Sequence, residues 1–363
     1  MNVHLKKPAR CAIAVAATLS LGSAAVQAQS VTLAGIADAA ARHVSNTGGS
    51  SVKSLVSGSH STSRIFIRGV EDLGGGLSAG FHLEHGILLD TGNPASTTQF
   101  WDRRSTVSLA SSAWGELRAG RDFVPSYVNW SRYDPFSYVG VAGSNNLVSA
   151  TPNGPIRSAF STSPNTTVRS SNSIQWLLPT GWAGLEGGLM VAAGEGGTAA
   201  NGQHKVIGAR LGWASKNFGV SAATTRTENN LTTGGKFKDH AIGGQADFGV
   251  VRLSAAYRVF EQAASEQKNM LLGVTVPVGQ GELKFSWNRA DLDGSVGTTS
   301  IAANDAQQLG VGYVYWLSKR SALYATMARI DNKSAATFVI PGGSSIAAGG
   351  TSTGAEVGVR HSF

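Results

Sequence analysis

Arg64, Arg68 and Arg104 are the residues of this chain best placed to act on a solute. Arg64 and Arg68 share a parity, opposite Ile65 and Ile67. Arg104 shares its parity with Thr106 and Ser108, opposite Val107 and Leu109. Successive side chains of a strand point to opposite faces, so each arginine stands on a polar face backed by an apolar one. A row of guanidinium groups attracts anions and repels cations without making or breaking a bond. Covalent chemistry finds little support. The His residues are scattered, and no His-Glu-x-x-His, Cys-x-x-Cys or phosphate-loop spacing occurs. His82 and Glu84 share a face, as a metal or acid/base pair does, but two polar groups on a wet surface explain them as well. Gly74–Gly76 reads as a turn. No catalytic residue, metal, cofactor or nucleic-acid site is expected.

The elements that must carry these arginines are strands. Val31, Leu33, Ala37, Ala39 and Ala41 oppose Thr32, Asp38 and Arg42; Leu283, Phe285 and Trp287 oppose Lys284, Ser286 and Asn288. Alternating segments of about ten residues match tilted strands crossing a bilayer. Mean hydropathy is −0.03. That near-neutral value suits a barrel whose lipid-facing and lumen-facing residues alternate. The separators alternate in size. Short ones include 73–76, 111–115, 179–182 and 247–249; long ones include 43–61, 89–102, 123–168, 261–267 and 331–353. Seven short turns and eight long loops make sixteen strands, an all-β antiparallel transmembrane barrel with short periplasmic turns. Trp114, Trp182, Phe218, Phe248 and Trp316 lie at or beside short turns and are expected, with Phe363, to form an interfacial belt. A charge on the lipid face near midplane costs about 2–4 kcal/mol, so the arginines are expected to face the lumen.

The ends fit an exported barrel. Lys6, Lys7 and Arg10 precede an apolar stretch and Ala25-Val-Gln-Ala28, so residues 1–28 are expected to be a cleaved signal peptide and 29–363 the barrel. Cys11, the only cysteine, leaves with that leader, and 27 basic residues remain against 22 acidic ones, about +5. No disulfide is then expected in the mature fold. The last ten residues alternate again and end on Phe363, so a closing strand is expected there.

Four segments, in order, carry a family resemblance. They are Ser63-Arg-Ile-Phe-Ile-Arg-Gly-Val-Glu-Asp-Leu-Gly-Gly-Gly-Leu77, Trp114-Gly-Glu-Leu-Arg-Ala-Gly-Arg121, Leu317-Ser-Lys-Arg-Ser-Ala-Leu-Tyr-Ala325 and the terminal Gly-Val-Arg-His-Ser-Phe. The chain resembles the Gram-negative porins of the beta-proteobacterial and neisserial type, from leader to last residue. The resemblance implies a sixteen-stranded outer-membrane barrel that forms a homotrimer, with its third loop folded into the pore. It also implies that Phe363 is the signal read by the barrel-assembly machinery. Strand parity places Arg121 outward, whereas the resemblance favours an inward Arg121.

The third loop, about 123–168, is long for a structureless segment. Its only carboxylate is Asp134, against Arg132 and Arg157. Related porins often place an acidic cluster on this loop. Its sparseness here points away from cation selectivity. The pore constriction is therefore expected to pair Arg64, Arg68, Arg104 and Arg121 with Asp134 across the lumen. The expected function is passive diffusion of small hydrophilic solutes with a mild anion preference. A substrate-selective anion porin and a surface-interaction barrel (adhesin or phage receptor) are the alternatives. Expected partners are outer-membrane lipid and lipopolysaccharide, the assembly machinery, and small solutes and anions.

Overall fold

The computed structural model describes residues 30–148 and 153–363. The expected signal peptide, residues 1–28, lies outside the described residues. One closed antiparallel sheet contains nearly everything else. Its strands are β1 (Ser30–Asn46), β2 (in two pieces, Val52–Ser57 and Arg64–Gly74), β3 (Leu77–Leu88), β4 (Arg104–Ser111) and β5 (Gly115–Phe123). They continue as β6 (Arg169–Leu177), β7 (Leu185–Ala192), β8 (Lys205–Ala214), β9 (Phe218–Glu228), β10 (Phe237–Asp247) and β11 (Arg252–Gln262). The last five are β12 (Ser265–Val278), β13 (Gly281–Val296), β14 (Ala306–Trp316), β15 (Ser321–Asn332) and β16 (Thr351–Ser362). The sixteen strands pair in sequence order, and β16 closes on β1 through Ile36↔Ser362 to Asn46↔Ser352. Phe363 finishes the seam: its backbone exchanges two 3.1 Å hydrogen bonds with Gly35. Its ring covers Gly35 so closely that a Cβ there would meet Phe363 Cζ at 2.4 Å. No long apolar helix is among the described residues, and the crossing is made by strands.

Parity reads as expected along β1. Asp38, Ala40, Arg42, Val44 and Asn46 are buried inward, while Val31, Leu33 and Ala41 are exposed outward. The belt holds for Trp114, Trp182, Phe218, Phe248 and Phe363, all exposed. Trp316 departs from it. It shares parity with the buried Val314, and Arg360 stacks over its ring at 5.3 Å. Two separators also differ from expectation. The one placed at 261–267 is a two-residue hairpin, with Gln262↔Ser265 paired and Ala263 at positive φ. Polar cross-strand pairs continue the ladder up to the hairpin, so polarity there marks strand ends, not a loop. The one placed at 43–61 is mostly strand; β1 runs to Asn46, β2 begins at Val52, and the irregular piece is 58–63.

That irregular piece shapes the pore. The Asp38 carboxylate accepts from the backbone N–H groups of Ser59, His60 and Ser61 at 3.2, 3.1 and 2.7 Å, and from the Tyr324 hydroxyl at 2.5 Å. The Asp38 carbonyl takes Gly58 N–H and the Ser63 hydroxyl. A buried carboxylate with this many donors replaces the sheet bonds that the interrupted strand forgoes. Ser61 and Thr62 are thereby pushed into the lumen just ahead of Arg64.

The third loop fills the barrel from the other side. It contains a short helix α1 (Pro125–Ser131), a 3-10 turn at Ser144–Leu147, and α2 (Pro155–Phe160). It docks where the inner wall lacks side chains. A Cβ on Gly243 would lie 2.3 Å from the Tyr133 ring, and one on Gly273 would lie 2.5 Å from Pro135. Gln308 donates to the Ala142 carbonyl at 2.9 Å, and Gln267 and Asn269 both donate to that of Leu147. Its buried apolar residues (Trp130, Tyr133, Ile156, Phe160) pack with Phe237, Phe260 and Leu271 of the wall. The lumen's interior packing is therefore built from the loop, and the loop leaves one side open.

Candidate functional site: the arginine-lined constriction

The opening left between loop and wall encloses about 460 Å3. Ser61, Thr62, Arg64 and Arg103 line its wall side, and Phe123 lines it at the end of β5. Tyr127, Val128, Ser131, Ser137 and Val139 line its loop side. Arg64 Nε stands 3.4 Å from Glu84 Oε1, and Arg103 Nε stands 2.5 Å from the same oxygen. One carboxylate is thus shared by two guanidinium groups that line the opening. Behind Phe123, the Arg169 guanidinium carbon lies 4.4 Å from the ring centroid. The Arg169 side chain makes no ion pair or hydrogen bond among the described residues.

The wall below continues the ladder. Across the sheet, Arg68 pairs with His82, His82 with Thr106, and Thr106 with Gly120. In the row above, Phe66 pairs with Glu84 and Glu84 with Arg104. Arg104 Nε lies 3.4 Å from Asp122 and 3.2 Å from the Thr106 hydroxyl. Arg118 joins the same carboxylate at 2.8 Å and grips Glu116 with a second nitrogen at 2.8 Å. Arg68 is exposed to the lumen, with no ion pair among the described residues. Low-dielectric walls concentrate the field of such groups inside a narrow lumen.

The residues expected from sequence fall in different places. Arg64 lines the opening; Arg104 and Arg68 stand on the same inner wall below it. Arg121 is in register with Ser105, on the outward parity of Val107 and Leu109. It is tied into the wall, donating to the Asp102 carbonyl at 2.7 Å and the Ser171 hydroxyl at 2.9 Å. It does not line the opening.

Asp134 requires a correction. It was expected to face the arginines, but it is buried within the loop. There its carboxylate accepts from the backbone N–H groups of Phe136, Tyr138 and Ser144 at 2.8, 3.0 and 2.8 Å. Burial pushes its carboxyl above the usual range, while these three N–H bonds oppose that rise. Asp134 folds the loop and does not line the opening. His82 and Glu84 hydrogen-bond at 3.3 Å, with Arg104 3.5 Å from the other His82 nitrogen. No cluster able to hold a metal ion occurs among the described residues.

A family model described as Gram-negative porin matches residues 12–335. The chain belongs to the Gram-negative porin family. It is 35% identical over 371 residues to outer membrane porin protein 32 of Delftia acidovorans, covering 96% of this chain and 98% of that one. It is 26% identical over 349 residues to an outer membrane porin protein of Bordetella pertussis, covering 85% of this chain and 84% of that one. Among solved structures, the anion-selective porin from Comamonas acidovorans matches with a TM-score of 0.78 and 32% identity, covering 93% of this chain and all of that one. This porin is therefore a barrel of the Gram-negative outer membrane, and its opening is a channel.

Three arginines of the pore, Arg103, Arg118 and Arg169, escaped the reading of strand parity. Arg103 precedes β4, and a residue outside the ladder is free of parity. Its N–H bonds the Glu84 carbonyl at 3.2 Å while its side chain reaches the Glu84 carboxylate. Arg169 starts β6 beyond a bulge that skips register between Gly120 and Asp122, with Asn172 at positive φ. Arg118 does obey parity; its place between Leu117 and Ala119 was the available signal.

Proposed function

We propose that this porin passes small hydrophilic solutes by diffusion and prefers anions. The observation that carries the reading is an imbalance on one wall. Six arginines (64, 68, 103, 104, 118 and 169) stand among four carboxylates (Glu84, Asp102, Glu116 and Asp122). The loop that forms the other wall of the opening contributes no carboxylate to it. The similar porin of Comamonas acidovorans is described as anion-selective, which supports the same reading here. Channels in planar bilayers under a potassium chloride gradient should give a zero-current potential displaced toward that of chloride. A potential at or on the potassium side of zero would overturn it.

The functional unit in this reading is a homotrimer in outer-membrane lipid, with lipopolysaccharide around its extracellular leaflet. The outward face of β1 offers Ala37, Ala39 and Ala41, small enough for barrel walls to approach closely. Mild detergent extraction should yield a heat-modifiable trimer by mass. Monomers with full conductance would refute that assembly.

Phe363 is proposed as the signal for the barrel-assembly machinery. Its ring is half exposed at the seam, beside the edge that must close last. Deleting Phe363 should lower outer-membrane levels several-fold while channels that do assemble conduct normally. Unchanged surface levels would count against the role.

A further inference from the structure

Helix α1 carries apolar residues on both sides. Pro125, Trp130 and the following Tyr133 are buried against the wall. Tyr127 and Val128 lie on the opposite side, in the lining of the opening, and Val128 is 38% exposed there. Val139 lines the opening further along the loop, and the Phe123 ring stacks on Tyr127 with centroids 4.9 Å apart. A water-filled passage has no need of four apolar side chains on its wall. Isolated exposed apolar residues are common on any surface, but these four line the same opening as Arg64 and Arg103. The opening is therefore an amphipathic slot, cationic on one side and, on the other, mainly apolar with Ser131 and Ser137 set among the apolar side chains.

We propose that the slot favours carboxylate anions carrying a flat apolar body, the arylcarboxylates, over equally charged anions with a polar body. This deepens the anion-channel reading and rests on it. A guanidinium fork matches a carboxylate through two parallel hydrogen bonds, and Arg64 and Arg103 offer two forks that share only Glu84. A flat ring held at that end would lie along Phe123, Tyr127, Val128 and Val139, losing its apolar hydration on the loop side. A polyhydroxylated anion would meet the same arginines but would have to shed water against Phe123, Val128 and Val139, where the hydroxyls of Ser131 and Ser137 replace only part of its hydration. The slot offers the two anions equal charge and unequal desolvation, so the apolar body decides between them.

The test uses the purified full barrel in planar bilayers, with sodium benzoate and sodium gluconate as probes. Zero-current potentials give the permeability ratio of the two anions. Benzoate should exceed gluconate several-fold and should slow chloride current in a saturable way. Because benzoate is also the smaller anion, the deciding comparison is with V128T and V139T, which alter polarity at nearly constant volume. The benzoate-to-gluconate ratio should fall at least about twofold in the double variant, as an apolar contact is replaced by a hydrated hydroxyl. V128T alone, at an exposed position, should move the ratio in the same direction. A wild-type ratio of one, or a ratio that both variants leave unchanged, overturns the slot. A wild-type channel without chloride preference in potassium chloride overturns the arginine filter itself, whatever the benzoate result.

Discussion

Arg64→Gln combined with Arg103→Gln is expected to move the zero-current potential in a potassium chloride gradient decisively toward potassium. The two guanidinium groups line the opening, and both lean on Glu84. At roughly 5 Å from a passing ion, each unit charge is worth about 1 kcal/mol even at the dielectric of bulk water. Their loss also leaves Glu84 without its two guanidinium partners and with only the His82 hydrogen bond, so the local charge changes sign. The chloride-to-potassium permeability ratio should fall about tenfold or more, since about 1.4 kcal/mol is one decade. Arg68→Gln should do less, because Arg68 stands on the wall below the opening. Lys236→Gln and Lys238→Gln should do least. Those lysines are already paired with Glu228 and Glu261 at 2.7 and 2.8 Å, on outer strand ends where a Debye length of about 8 Å screens them from the lumen. If the double variant retained the wild-type potential, the filter would lie elsewhere.

Strand parity made most of the barrel legible, and its failures have a common cause. Where the ladder is regular, as along β1 or through Arg64 and Arg68, a period of two assigned every side chain to its face. Charge at strand ends was misread as loop at 261–267, because a barrel's strands extend past the bilayer and lose their apolar face there. Arg103 and Arg169 sit just outside or beside an irregularity, where a single extra residue reverses every assignment. Asp134 failed differently. Its position in a long, acid-poor loop made it the natural counter-charge, but three backbone N–H groups surround it in the fold. Nothing in a linear pattern distinguishes a carboxylate that faces a pore from one that ties its own loop. Composition likewise could not show which side of α1 meets water, because both sides mix apolar and polar residues.

Asp239→Leu is expected to release the third loop and widen the channel. Asp239 and Arg258 form a bidentate pair at 2.8 and 2.7 Å, with both side chains essentially inaccessible. The pair clasps the loop at both ends: the Ser126 hydroxyl donates to Asp239 at 2.6 Å, and Arg258 donates to the Thr167 carbonyl at 2.8 Å. Removing one partner leaves the other charge buried and uncompensated, a cost of about 3–5 kcal/mol. The barrel can relieve that cost without unfolding, because the strands keep their ladder and only the loop must move to admit water. Single-channel conductance should therefore rise and become heterogeneous, anion preference should weaken, and the arginine wall should persist. Replacing both partners, Asp239→Leu with Arg258→Met, removes the stranded charge and should recover much of the wild-type conductance, so the two effects should be far from additive. A single variant with wild-type conductance and low noise would show that the glycine docking sites and Asp134 hold the loop without this pair. Equal behaviour of the single and double variants would mean that the stranded charge is not what drives the release.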